Sequence, residues 1–183
     1  MRLFRSFRDD RALQRGTATY VGSLMTEPAA GEVKWLAGCA TRGDDDHATW
    51  ELRYLRRALG ILVAQRDALD DRTPSEVLRA LSTRMERDPN VDGDLRELAD
   101  RQFNARLSAY RDAFTSRGYG TPGTRVAQNL LAFAGGPIRA DDPVVIRGAE
   151  LVTEYLVAAG DALRASFGTA ELPDDVPPSQ VTR

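Results

Sequence analysis

The chain has one cysteine, one histidine and one lysine in 183 residues. A single thiol, Cys39, makes no internal disulfide, and with only one histidine to pair with it reads as a small hydrophobe rather than a nucleophile. Zinc sites need more histidine and cysteine than exist here. Long hydrophobic runs are also missing. The longest, ALGILVA at residues 58–64, falls far short of the roughly 20 apolar residues that cross a bilayer. The basic N-terminus lacks the continuous apolar stretch and small-residue cleavage site of a secretory signal, so a cytoplasmic location is expected. Nor is there a basic excess: 25 basic against 27 acidic residues leave a formal charge of −2, which argues against a dedicated nucleic-acid binder. No segment alternates apolar and polar residues as a half-buried strand would.

What is present is a succession of helix signals in a chain sized for one core. In DRTPSEVLRAL, Thr73 reads as an N-cap, Pro74 takes the first helical position and Glu76 reaches back to the cap. The same Thr-Pro and Asp-Pro grammar starts helices at Thr121–Pro122 and Asp142–Pro143, while Gly118 and Gly168 read as C-terminal stops. Two further helices are expected in DDRALQRGTATYVGSLM and GEVKWLAGCATRG. The fold class is therefore all-α, a single-domain helical bundle of about six or seven helices spanning residues 9–168. A basic amphipathic segment, residues 1–8, precedes it. Residues 169–183 follow as a tail, proline-rich and without apolar period, expected to be disordered.

The stretch GDDDHATWELRYLRR, residues 43–57, concentrates chemistry: three aspartates, the histidine and a tryptophan. An aspartate at position 45 or 46 suffices as a helix cap, favoured further by the helix dipole. For calcium the acids are wrongly spaced. An acid–base pair of Asp45 and His47 is the enzymatic alternative, with no serine or cysteine at a recognisable nucleophile motif. No catalytic residue, metal ligand or cofactor is assigned. The helix that follows has two apolar sides at about 100° per residue: Leu52, Leu55, Leu59 and Leu62 on one, Trp50, Tyr54, Arg57 and Ile61 on the other. The second side is either core, making this a central helix buried twice, or a partner-binding face of the residue types that dominate interfaces. The N-terminal MRLFRSFR offers another surface. Leu3, Phe4 and Phe7 interleave with Arg2, Arg5 and Arg8, a pattern that either lies on an anionic membrane or folds back on the bundle.

One segment, DLRELADRQFNARLSAYRDAF at residues 94–114, resembles the central helix of the ubiquinol-cytochrome c chaperone family, through Phe103, Arg106, Leu107, Ala109 and Tyr110. The order around it is similar too: LFRSFR at the start, ELRYLRRALGIL, and a last helix containing VTEYL. The chain departs from that family's pattern at Arg111, between Tyr110 and Asp112, and has no histidine within residues 50–62. The resemblance implies an all-helical assembly chaperone for a respiratory cytochrome bc1-type complex, with a membrane respiratory subunit as protein partner and peripheral contact with the inner membrane. The competing expectations are the helical enzyme using Asp45 and His47, and a homodimeric helical scaffold.

Overall fold

The computed structural model describes residues 2–117 and 120–169, with side chains from Asp10 onward. It contains seven α-helices: α1 (Arg2–Leu24), α2 (Ala30–Cys39), α3 (Asp45–Asp67), α4 (Arg72–Glu86), α5 (Arg96–Thr115), α6 (Pro122–Ala134) and α7 (Pro143–Phe167), with a 3₁₀ turn at Gly93–Leu95 before α5. Among the described residues there is no strand, and the chain is an all-α single-domain bundle. No described helix is long and apolar enough to cross a membrane. Residues 2–8 form the first turns of α1 rather than a separate segment. The side chains proposed for a membrane surface, Arg2, Leu3, Phe4, Arg5, Phe7 and Arg8, lie outside the described residues, as do Gly118 and the tail from residue 170.

α3 is the axis of the bundle, packing against all six other helices. Its sequence explains why: Leu52, Leu55, Leu59, Ile61 and Val63 are all buried, so apolar side chains leave it in several directions. The approach of α1 is set by Gly60, where an added Cβ would lie 2.3 Å from Leu24 Cδ2. The Tyr20 hydroxyl donates to the Gly60 carbonyl at 2.8 Å and fixes that crossing.

Two proline-marked starts stand where the sequence puts them. Thr121 accepts from the Thr124 amide at 3.1 Å and Asp142 from the Val144 amide at 2.8 Å. Gly168 caps α7, its amide donating to Arg164. Three expected boundaries move. α5 ends at Thr115 with Ser116 as its cap. α3 is capped by Asp44, whose Oδ1 accepts from the His47 amide at 3.0 Å, not by Asp45 or Asp46, which occupy the first turn. Thr73 is no cap: it sits inside α4 and is buried. Asp70 takes the role, accepting from the amides of Arg72 at 2.9 Å and Thr73 at 2.6 Å and from the Thr73 hydroxyl at 3.2 Å. An aspartate three residues upstream can satisfy more of the free amides than threonine can, and the helix starts earlier. Asp70→Ala should therefore cost about 1 kcal/mol, read as a lower urea midpoint at unchanged slope. An unshifted midpoint would contradict this cap.

Candidate functional site

The distinctive chemistry of the molecule gathers along the first half of α3. Glu51 falls on the stripe of Leu55, Ala58 and Leu62, at intervals of four, three and four residues, which places a carboxylate in the core. It is 1 % exposed. Arg106 of α5 answers it with a two-pronged grip, Nε to Oε2 at 3.0 Å and Nη2 to Oε1, the geometry that makes arginine the natural partner of a buried carboxylate. The same guanidinium donates to the Gln102 carbonyl at 3.2 Å and stands 4.4 Å over the Phe133 ring and 5.4 Å from that of Tyr54. Nearby Tyr110 is wholly buried and its hydroxyl has no hydrogen-bond partner among the described residues. Burial, with the Glu51 charge adding to it, pushes its phenol far above the ordinary range.

A second ion pair lies two turns on. Arg57, 2 % exposed, donates from Nη2 to Asp88 Oδ2 at 3.1 Å. Asp88 is held in turn by the Asn90 amide at 3.1 Å and its side-chain nitrogen at 3.0 Å. Burial raises the Asp88 carboxyl, but the Asn90 hydrogen bonds and the Arg57 charge outweigh it, leaving the group below its ordinary 3.8.

A cleft of about 280 Å³ opens between α3, the α4–α5 loop and the start of α5. Trp50 and Tyr54 form its aromatic side, their ring centroids 5.6 Å apart, and Tyr54 packs on Phe103 at 6.0 Å. Arg53 stacks 4.6 Å from the Trp50 ring while its Nε donates to Glu27 at 2.9 Å, which holds the indole in place. Leu95 and Leu98 contribute the other side at 54 % and 43 % exposure. Asp46 and Asp92, both exposed, stand at the edge, and none of the described residues lining the cleft is basic.

Of the four residues on the second side of α3, only half-buried Trp50 is left substantially open. Tyr54 is 3 % and Ile61 1 % exposed, and Arg57 is paired as described. As a free docking face this side is thus corrected: Phe103 covers Tyr54 and Asp88 neutralises Arg57, so three of the four belong to the core. The Asp45–His47 pair does not form either. Asp45 binds Lys34, while His47 Nε2 lies 3.4 Å from Glu51 Oε1. Among the described residues no group of three or more His, Cys, Asp or Glu side chains could hold a metal ion. Half-buried Cys39 donates its thiol to the Leu36 carbonyl, and burial raises its pKa.

Sequence reasoning missed Glu51, Asp88, Leu95 and Leu98. Glu51 had a readable signal, since a carboxylate on an apolar stripe demands a buried base. Asp88 and the two leucines had none, because their roles depend on where the α4–α5 loop folds. No family model, curated protein or solved structure matches the chain.

Proposed function

We propose that the protein is a binding protein that holds a partner polypeptide in the Trp50 cleft and performs no catalysis. One observation carries this reading: a half-buried tryptophan, clamped by Arg53, faces two well-exposed leucines across an open cleft. An aromatic anchor on a rigid helix beside apolar surface is how interface energy concentrates. The acids at the edge favour a basic amphipathic segment as occupant, its apolar side on Trp50, Leu95 and Leu98 and its basic side toward Asp46 and Asp92. The likeness of residues 94–114 to the ubiquinol-cytochrome c chaperone family supplies the class of partner, a subunit of a cytochrome bc1-type respiratory complex met at the cytoplasmic side of the inner membrane. Arg106, one of the residues that carry that likeness, stands 5.4 Å from the ring of Tyr54, which lines the cleft.

A photo-crosslinker installed at Leu98 in the native host should capture a subunit of that complex, identified by mass spectrometry of the crosslinked peptides. Crosslinks confined to a second copy of this chain would favour the homodimeric scaffold instead. Trp50→Ala separates binding from folding. As a half-buried side chain, Trp50 should contribute about 1–2 kcal/mol, below the roughly 3–5 of a fully buried aromatic. The thermal melt should shift modestly while capture at Leu98 disappears. Undiminished capture by this variant would remove Trp50 as the anchor.

A further inference from the structure

A second cleft, of about 250 Å³ and sharing no residue with the first, lies where the end of α1 meets α3 and α7, lined by Ser23, Leu24, Thr26, Arg56, Tyr155 and Ala158. Arg56 sets its chemistry. The neighbouring arginines of α3, Arg53 and Arg57, each reach a carboxylate. Half-buried Arg56 reaches none among the described residues, and its Nε is both shielded from solvent and without a hydrogen-bond partner. Its guanidinium instead lies 4.5 Å over the Tyr155 ring. Glu32, which bonds the same tyrosine, is already engaged: its Oε2 accepts from the Tyr155 hydroxyl at 2.7 Å and from the Ala29 amide at 2.9 Å. That hydrogen bond fixes the ring, and the ring fixes the guanidinium.

A half-desolvated cation that forms no ion pair among the described residues, held in one orientation in the wall of a cleft, is a receptor for an anion. The other walls say which kind. Leu24, Ala158 and the Tyr155 ring are apolar, and the Ser23 hydroxyl is spent on the Tyr20 carbonyl at 2.6 Å. Exposed Thr26 is left to donate. One fork-shaped cation beside apolar walls fits a carboxylate with a short aliphatic body better than a phosphate dianion, which draws on several donors. The volume falls below the roughly 300–1,000 Å³ of pockets for larger ligands. We propose that this cleft binds a small aliphatic carboxylate, its carboxylate on Arg56 and Thr26 and its body against Leu24, Ala158 and Tyr155. This site is independent of the partner cleft at Trp50.

The test is a titration of the isotope-labelled protein with sodium hexanoate, followed by the backbone amide signals of Thr26, Arg56 and Ala158. Saturable shifts are expected at these three. Hexanol, which lacks the charge, should bind at least about tenfold more weakly, and Arg56→Gln should lose the same factor for hexanoate. Ala158→Leu, a change at an exposed position, should block the cleft and abolish the shifts while the rest of the spectrum stays folded. The proposal is overturned by non-saturable shifts, by equal binding of hexanol, by undiminished binding in either variant, or by inorganic phosphate binding there in preference to hexanoate.

Discussion

Glu51→Ala should destabilise the protein by about 3–5 kcal/mol, the cost of leaving one member of a buried ion pair behind. The stranded member is Arg106, whose side chain is 12 % exposed and whose two-pronged partner is Glu51. Stacking on Phe133 and one bond to the Gln102 carbonyl do not replace a counter-charge in a poorly solvated site. His47 lies within 3.4 Å of Glu51 but is itself 42 % exposed, so His47→Ala should cost far less, with the Asp44 cap on its backbone amide untouched. The double variant Glu51→Leu/Arg106→Leu should recover most of the lost stability, because a well-packed apolar pair often matches a buried ion pair. Urea denaturation of the three variants checks this. A Glu51→Ala midpoint close to wild type would mean that Arg106 reaches water and does not depend on Glu51.

These pairs mark the boundary of what the chain discloses by inspection. Helices α6 and α7 are legible because their information is local: Thr121–Pro122 and Asp142–Pro143 act on amides two or three residues away. α4 shows how the same signal misleads, since Thr73–Pro74 reads identically but Asp70 competes for the same amides and wins. The two-sided character of α3 was visible at the helical period, and burial on both sides was one of its two readings. Periodicity assigns faces, however, and not what covers them. Arg57 finds its counter-charge 31 positions away and Glu51 finds its base 55 away. Nothing in the local pattern of α3 points to either partner. The cleft is the furthest from legible, because Trp50 becomes its anchor only through the path of the α4–α5 loop, which brings Leu95 and Leu98 alongside.

Arg57 gives the sharpest contrast between a helix-face reading and the folded molecule. As an exposed docking residue it could be truncated at little cost. Paired in the core, Arg57→Ala leaves the carboxylate of Asp88, 4 % exposed, with Asn90 alone, and about 3–5 kcal/mol should be lost. Because Arg57 also lines a small pocket shared with Trp50, Tyr54 and Val91, which line the cleft, partner capture should fall with it. The pair carries a pH signature as well. Asp88 is held below its ordinary 3.8 in the folded chain, so the unfolded state takes up its proton first as pH falls. Its stabilising contribution is then complete above about pH 5, begins to fade near the unfolded value, and is gone once pH passes below the folded value. Arg57 stays protonated throughout, so the sign of the effect is that of Asp88 alone. Urea midpoints measured from about pH 6 down to about pH 3 should fall more steeply for the wild type than for Asp88→Asn, whose amide does not titrate. Parallel curves would show that the Arg57–Asp88 pair carries no such linkage, and a mild Arg57→Ala would return that guanidinium to the surface.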